Sequence, residues 1–444
     1  MTLQAVPLAA GAAADTLYKR VYWRLIPLLV VCFIVAYYDR VNISFAKLQM
    51  QDELKFSDTV YGLGASLFFV GYILFEVPSN VMLHRLGARK WIARIMVSWG
   101  IASALMMFVA TPFQFYAMRF VVGAMEAGFL PGVVLYFTYW FPPLHRARIV
   151  AGFMAAIPIS IGLGAPVSTA LLELDGVLGL AGWRWLFLGE AAPAVIFGVL
   201  CLFCLTDRPN AASWLTAEEK RWLNTEMQRE KQTVVQHRTF SVLQTLVNWR
   251  VLALAAIHFG QAGVSVGLAV FVAQIIKGLG VTNMQTGLLT VIPYAAGTIG
   301  MIVWGHYSDK RNERRWNLTG SCTVMGLGCV IAALLTGSYW SVLGLSLITI
   351  GLYASNAHLF PLPAVFLTGP ALVSGIAWVN SVGILGGSVS PPVVGYLRDL
   401  TGNFAGGLYA LAGFAALAAV IAAVGVRETP AKAQAGRPLP AMAG

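Results

Sequence analysis

The sequence predicts an all-α integral membrane protein in which twelve spanning helices form two pseudo-symmetric six-helix halves. Composition is the first observation: 58% of the 444 residues are hydrophobic, only 11% are charged, and the mean hydropathy is +0.72. A soluble domain carries about 25% charged residues. The second observation is a series of apolar runs near the length of about 20 residues that crosses a bilayer. Together they favour a multi-pass membrane protein over a soluble enzyme.

Twelve apolar runs have the length and composition of membrane spans. They cover residues 24–46, 61–83, 91–110, 113–138, 147–171, 184–206, 250–275, 284–306, 317–336, 340–366, 371–396 and 404–426. Glycine and proline recur within them, which is typical of packed, kinked membrane helices. The first run is longer than the core of a signal peptide and lacks a small-residue cleavage site, so we expect it to be a span. The five cysteines lie in apolar runs, where we expect buried, inert thiols.

The longest polar stretch divides the chain nearly in half. The predicted segments are an N-terminal tail, a first half, a central loop, a second half and a C-terminal tail, at residues 1–23, 24–206, 207–249, 250–426 and 427–444. Within the central loop, LTAEEKRWLNTEMQRE predicts an amphipathic surface helix with Thr216 as its N-cap. The loop is too short to build a domain core of its own.

Lysine and arginine are concentrated in alternate loops, in both tails and in the central loop. Loops rich in these residues stay in the cytoplasm. We therefore expect both termini to be cytoplasmic, in a bacterial-type inner membrane. This pattern also accounts for the formal charge of +11, so no nucleic-acid partner is expected. The expected partner at this point is the lipid bilayer, and a monomer suffices for such a fold.

Four ionisable residues lie inside or at the deep end of apolar runs: Asp39, Arg40, Arg119 and Glu126. A charge at the middle of a bilayer costs about 3 kcal/mol or more, so such residues usually face a bundle interior or a wet cavity with a function. Two acids and two arginines predict a polar cavity that binds an anion and carries protons.

Arg119 and Glu126 are seven residues apart, which places them on one helix face about 10 Å apart along the axis. The planar guanidinium of Arg119 fits a carboxylate in bidentate geometry. Burial favours the neutral form of the Glu126 carboxyl, which makes it a candidate for proton coupling. The structural alternative is an Arg119–Glu126 ion pair inside the bundle.

Asp39 and Arg40 are neighbours in sequence, so on a helix they point about 100° apart and cannot face the same partner. Asp39 is a candidate for proton coupling, and Arg40 is a candidate for binding substrate or for pairing with an acid on another helix. The alternative is an ion pair at a helix end near the outer surface.

Five further polar residues in the spans are candidates for substrate binding. Tyr37 and Tyr72 can donate a hydrogen bond or stack on an aromatic ring, and the alternative is a core or lipid-facing aromatic. Asn380 can bond the substrate or bridge helices. His258 and Gln261, three residues apart, can line the second-half wall of the cavity, although a buried histidine satisfied by its neighbours is more common.

A gate is predicted at the cytoplasmic ends of the second span of each half. Glu76, Arg85 and Arg89 are the candidates in the first half, and Asp309 and Lys310 in the second. Opposite charges there can pair when an inner gate closes and part when it opens. The alternative is orientation by positive charge alone. Motifs for ATP or metal use are absent from the sequence, so we expect no cofactor and a proton gradient as the energy source.

Several stretches resemble the major facilitator superfamily and, within it, the anion:cation symporter branch. They are YYDRVNISFAKLQ, FEVPSNVMLHRLGARKWIARIM, RFVVGAMEAGFLPGVVLYFTYWFP, GWRWLFLGE, IPYAAGTIGM with GHYSDKRNERRW, and GIAWVNSVGILGG. They extend from residue 37 to about residue 387. The resemblance implies import of an organic anion, commonly a carboxylate, with protons. ISFAKLQM and SDTVYGLGASLFFVGYILFEVPSN look most like phthalate-type permeases for aromatic carboxylates, and next most like tartrate-type permeases.

The sequence departs from the family pattern at two places. In the loop after the second span, Asn80 and His84 replace the usual Gly and Asp, whereas the second copy, from Gly305 to Asp309, is intact. Near the eleventh span, Ile384 replaces an Asn that is frequent in the branch, so no contact from that Asn is expected.

The expected function is therefore proton-coupled import of a small organic anion, foremost an aromatic carboxylate such as phthalate or a hydroxybenzoate. Arg40 and Arg119 would bind the carboxylate, and Asp39 and Glu126 would carry protons. One alternative is a symporter of tartrate or a sugar acid with protons. Two others are a proton-driven exporter on the same fold, which the faint antiporter-like GLGAP at 162–166 favours, and a non-transporting membrane sensor.

Overall fold

The computed structural model describes residues 12–154, 156–236, 242–311, 313–367 and 369–426. All regular secondary structure in these ranges is helical. The all-α prediction is therefore confirmed. The predicted tails at 1–23 and 427–444 lie mostly outside the described residues.

The first half contains eight α-helices. They are α1 (Ala12–Leu54), α2 (Asp58–Leu86), α3 (Ala88–Leu105), α4 (Pro112–Glu126), α5 (Phe129–Phe137), α6 (Pro143–Met154), α7 (Ala156–Leu172) and α8 (Gly182–Cys204). The central segment forms α9 (Ala217–Gln236) and α10 (Val242–Leu246). The second half contains α11 (Trp249–Lys277), α12 (Asn283–Arg311), α13 (Arg315–Leu334), α14 (Ser341–Leu359), α15 (Pro363–Phe366), α16 (Gly369–Thr401) and α17 (Ala405–Gly425).

Eleven segments of the described chain are long and apolar enough to cross a membrane. The fourth of them joins α4 and α5 across a break at Gly128, and the fifth joins the end of α6 to α7. The 33-residue helix α16 supplies a twelfth long segment. The order of these segments agrees with the predicted twelve-helix fold, which is confirmed.

Two local features bear on the predicted boundaries. Helix α1 begins at Ala12, well before the predicted start of the first span, because Leu17 and Val21 are buried one turn apart against the core. The N-terminus of the surface helix α9 is capped as predicted. The Glu219 N–H donates to Thr216 Oγ1 at 3.2 Å, and the Thr216 N–H donates to Glu219 Oε2 at 2.9 Å.

Each half has its own hydrophobic core, one built mainly from α1–α9 and the other from α11–α17. The halves meet through three helix pairs, α1 with α11, α2 with α16, and α7 with α12. When the spans are numbered separately in each half, the first span of one half contacts the first of the other. The second span of the first half contacts the fifth of the second half, and the fifth contacts the second. That reciprocity is the contact pattern of two similar halves related by a pseudo-two-fold axis.

The halves approach most closely where α2 and α12 begin, which we call the closed end. A Cβ on Gly62 would lie 2.4 Å from the carbonyl oxygen of Pro391, and a Cβ on Gly287 would lie 2.2 Å from Thr169 Oγ1. Each glycine is the fifth residue of its helix. Only glycine permits this approach. A glycine at the same helix position therefore allows close contact at each of the two equivalent contacts between the halves, which we call the seams.

Candidate functional site

A cavity lies between the two halves in the middle of the bundle. The residues that matter most for its chemistry are Tyr37, Arg40, Phe68, Arg119, Tyr294 and Tyr353. The first four come from α1, α2 and α4, and the two others from α12 and α14 of the second half. The cavity therefore combines two cationic groups with aromatic surface, and most of its remaining lining is aliphatic. A few polar groups in an apolar lining are typical of a small-molecule site.

Arg40 is held between a buried carboxylate and three aromatic rings. Its Nε donates to Glu126 Oε1 at 2.6 Å, and Glu126 is fully buried at the last position of α4. The guanidinium carbon lies 5.3 Å from the ring centre of Tyr37, 5.8 Å from that of Phe68 and 4.9 Å from that of Tyr72. These distances suit cation–π attraction. The predicted residues Arg40, Glu126, Tyr37 and Tyr72 thus form one cluster.

Arg119 has a different environment. Its guanidinium carbon lies 4.9 Å from the ring centre of Phe68, and the residue is 3% exposed. Among the described residues, no carboxylate lies within ion-pair distance of Arg119, and its Nε has no hydrogen-bond partner. The alternative of an Arg119–Glu126 ion pair is therefore not what the structure contains, because Glu126 pairs with Arg40. Arg119 is a cation available to an anion in the cavity.

Asp39 is buried behind the cavity wall. Its carboxylate accepts hydrogen bonds from Asn42 Nδ2 at 3.0 Å, Trp99 Nε1 at 2.8 Å and Ser103 Oγ at 2.5 Å. It faces α3, whereas Arg40 faces α4, as their separation of about 100° on the helix predicts. Asp39 does not line the cavity in this conformation. Three donors compensate its burial.

The second-half candidates pack inside that half and do not line the cavity. His258 Nδ1 lies 3.4 Å from Gln261 Oε1, and its ring centre lies 5.2 Å from that of Phe360. Gln261 Nε2 lies 3.9 Å from Cys322 Sγ. Asn380 is half-buried on α16 and also does not line the cavity. The structure therefore does not bring these three residues to the two arginines.

The predicted gating residues lie at the end opposite to the closed end. Glu76 is half-buried, and Arg85 and Lys310 are exposed. The Arg89 N–H donates to Asp207 Oδ1 at 2.8 Å, within the first half. The side chain of Asp309 lies outside the described residues. Among the side chains of this set that the structure describes, no ion pair joins the two halves, and the gate stays a prediction.

Sequence reasoning missed the polar cluster at the closed end. Lys47, one residue beyond the predicted end of the first span, is buried inside α1, where its Nζ forms an ion pair with Asp58. The same Nζ lies 4.4 Å from the ring centre of Phe271 and 6.0 Å from that of Phe404, both from the second half. The correction has a physical cause: a paired lysine surrounded by rings can remain in a helix interior.

A second contact at the closed end links α16 to α2. Asp399 Oδ1 accepts the N–H of Asp58 at 2.9 Å, and its Oδ2 accepts the N–H of Thr59 at 2.8 Å.

The sequence analysis also assigned no role to Tyr294 or Tyr353. Tyr294 lies in IPYAAGTIGM, a stretch conspicuous for its family resemblance, and a polar aromatic in that span was the signal that could have found it.

Comparisons with known proteins agree with this architecture. A model of the Major Facilitator Superfamily matches residues 29–369. A protein of Agrobacterium vitis named as a candidate tartrate transporter is 46% identical over 412 residues, 93% of this chain and 95% of the relative. A candidate metabolite transport protein of Pseudomonas putida, NicT, is 40% identical over 89% of this chain and 91% of its own length. A quinolone resistance transporter of Acinetobacter baumannii is 38% identical over 88% of this chain and 91% of its own length.

Solved structures share the fold at low sequence identity. A bacterial homologue of the human lysosomal transporter Spinster, inward-facing and unoccupied, superposes with a TM-score of 0.75 at 16% identity, covering 92% of this chain and 97% of the homologue. A D-xylose–proton symporter superposes with a TM-score of 0.72 at 16% identity, covering 91% of this chain and 98% of that protein. These likenesses establish the arrangement of the helices.

Proposed function

We propose that this chain, which belongs to the major facilitator superfamily, imports a small organic carboxylate together with protons. Its family and its relatives are transporters, so the chain is a multi-pass membrane transporter and not an enzyme. We place it in the inner membrane of a bacterium with both termini in the cytoplasm, on the distribution of lysine and arginine.

One observation carries the proposal: a cavity arginine is already bound to a buried acid, next to a second arginine that is not. While Glu126 is charged, it competes with a substrate carboxylate for Arg40. A proton on Glu126 removes that competitor and leaves Arg40 to the anion. Arg119 provides positive charge in both states. Proton and anion then bind better together than apart, which is the requirement for coupling.

Asp39 is proposed as a second proton-coupling group. Its carboxylate interacts electrostatically with both Arg119 and Arg40. A change in its charge therefore alters the potential at both arginines without direct contact with the substrate. Its separation from the cavity suits a group that responds to binding rather than one that binds.

The closed end supports a proposed direction of access. With both termini in the cytoplasm, α1 ends and α2 begins at the outer face, so the seams at Gly62 and Gly287 close the outer side. The described conformation is then an inward-facing state that releases substrate to the cytoplasm. Rocking of the two halves about the cavity would open the outer side and assemble the gate on the inner side.

Two carboxylate classes are candidates for the substrate. Aromatic surface from Tyr37, Phe68, Tyr294 and Tyr353 favours an aromatic acid such as phthalate or a hydroxybenzoate, which can stack on these rings. The name of the Agrobacterium vitis relative favours tartrate, whose hydroxyl groups could bond the tyrosine hydroxyls. The relative named for quinolone resistance favours a third possibility, export of an organic compound.

Uptake by proteoliposomes tests the proposal. Labelled phthalate, a hydroxybenzoate and tartrate are offered with an outside-acid gradient, with no gradient and with the reverse gradient. We expect one acid to accumulate under the outside-acid gradient and its accumulation to be much lower in Arg119→Gln. Arg184→Gln is the control and should accumulate the acid normally, because Arg184 pairs with Glu53 away from the cavity. Accumulation under the reverse gradient alone would establish export. If no acid accumulates under either gradient, carboxylate transport is wrong.

A further inference from the structure

Another buried carboxyl, that of Glu190, lies near Asp39 and has no part in the mechanism above. Glu190 on α8 is 1% exposed. Its Oε1 accepts a hydrogen bond from Ser168 Oγ at 2.9 Å, and Ser168 Oγ lies 3.1 Å from the hydroxyl oxygen of Tyr38. Asn42 interacts with Glu190 and also donates to Asp39. Two acids from different helices therefore share one asparagine.

Glu190 differs from Asp39 in how its charge would be compensated. The groups that act on it are Tyr38, Asp39 and Asn42 from α1 and Ser168 from α7, and none is a cation. Among the described residues it forms no ion pair. A buried carboxylate without a cation, next to another carboxylate, is strongly disfavoured. Asp39 has three hydrogen-bond donors and lies near the cations Arg119 and Arg40, whereas no cation acts on Glu190, so Glu190 is the member of the pair that must be neutral.

Two unsatisfied atoms point to where the proton sits. Glu190 Oε2 and Asn42 Oδ1 are both buried without a hydrogen-bond partner. Both are acceptors when Glu190 is charged, so neither can satisfy the other. A proton on Oε2 would turn this atom into a donor, and the carbonyl oxygen of the neighbouring Asn42 is an acceptor that lacks one. One proton then satisfies both atoms, as buried polar groups require.

We propose that Glu190 stays protonated throughout the transport cycle and acts through Asn42 as a positioning residue for Asp39. Its Oε2–H donates to Asn42 Oδ1, and Asn42 Nδ2 donates to Asp39 Oδ1. These two hydrogen bonds fix the orientation of the Asn42 amide, so that its NH2 group and not its carbonyl oxygen faces the Asp39 carboxylate. The functional consequence rests on the proposed proton coupling, whereas the protonation of Glu190 does not.

Three variants separate this role from that of a proton carrier. Glutamine at this position keeps one acceptor for Ser168 and one donor for Asn42, so Glu190→Gln should retain proton-driven uptake and its pH profile. Glu190→Leu leaves the Asn42 carbonyl unpaired, and uptake should fall by about 5- to 150-fold. Asn42→Leu removes the amide that connects the two acids, and its uptake should fall by a similar factor. If Glu190→Gln loses gradient-driven accumulation but keeps exchange of labelled for unlabelled substrate, Glu190 carries a transported proton and the proposal is wrong.

Infrared difference spectroscopy tests the protonation without any transport assay. The spectrum of Glu190→Gln subtracted from that of the unaltered protein should show the carbonyl stretch of one protonated carboxyl, at mildly acidic and mildly alkaline pH alike. Glu53→Gln, which removes a partly exposed glutamate paired with Arg184, should show no such band. A Glu190 difference spectrum with only carboxylate bands would overturn the proposal. This result stands even if no tested acid is transported, so failure of the proposed function is a separate outcome.

Discussion

Replacing Asp399 with alanine is expected to loosen the closed end, because this carboxylate of α16 caps a helix of the other half. Its two oxygens accept the N–H groups of Asp58 and Thr59, the first two residues of α2. N–H groups in the first turn have no partner within their own helix. A negative charge is also favourable at a helix N-terminus. Asp399→Ala removes these contacts while leaving each half's own core untouched.

The size of the effect follows from these contacts. Two backbone hydrogen bonds and a third from the Thr59 hydroxyl contribute about 0.5–1.5 kcal/mol each, and the charge at the helix end contributes about 0.3–1 kcal/mol. Asp399 is exposed, so water replaces part of the loss and screens the charge. We therefore expect a net shift of about 1–3 kcal/mol, or about 5- to 150-fold, in the equilibrium between the closed and open forms of the closed end.

Distances between spin labels measure this equilibrium. Labels at Glu173→Cys in the α7–α8 connection and Tyr339→Cys in the α13–α14 connection report the separation of the halves at the closed end, with the exposed Cys204 replaced by serine. Asp399→Ala should increase the population at longer distance. Asp175→Ala is the matched control, since that exposed carboxylate accepts the N–H of Gly182 at 2.8 Å within the first half. Equal distance distributions in both variants would refute the capping role of Asp399.

Three further outcomes are expected. Gly287→Val should lengthen the same distances, because no side chain fits at this contact, whereas Gly413→Val should not, because Gly413 has open space around it. An unchanged distance distribution in Gly287→Val would contradict the close approach. Lys47→Met should lower the thermal stability by an amount corresponding to about 3–5 kcal/mol, because Asp58 loses its cation. An unchanged melting temperature would show that the ion pair contributes little. Glu126→Gln should bind substrate at least about ten-fold more tightly than the unaltered protein at alkaline pH, and its binding should depend little on pH. If this variant keeps the pH dependence of the unaltered protein, Glu126 has no role in proton coupling.

Hydropathy predicted the spans well because the bilayer imposes a length on every helix that crosses it. Asp39, Arg40, Arg119 and Glu126 were also identifiable from the sequence, because a charge inside a span is costly without a function. The structure places Arg40 and Arg119 in the cavity, Glu126 on Arg40 and Asp39 behind the wall. Which arginine pairs with Glu126 was not readable, since the seven-residue spacing concerns one helix and the pairing depends on how α1 packs against α4.

Other features depended on contacts between residues distant in sequence. His258 and Gln261 are polar residues in a span, but hydropathy does not show which face a helix turns toward the cavity. Lys47 appeared to end a span, because its charge is compensated by Asp58 eleven residues later, across a turn. Glu190 lay in plain view within GWRWLFLGE, but its relation to Asp39 exists only once α8 packs against α1.

The glycine seams have a consequence for leakage. A transporter driven by a proton gradient wastes energy if water can form a continuous file through it, because protons move readily along such a file. At Gly62 the seal is one backbone lying against another, with no room for a side chain, so no rotamer change can open it. A breach at this seam therefore requires the two helices to separate as rigid bodies. That makes accidental opening an all-or-none event, and it ties the integrity of the barrier to the same motion that admits the cargo.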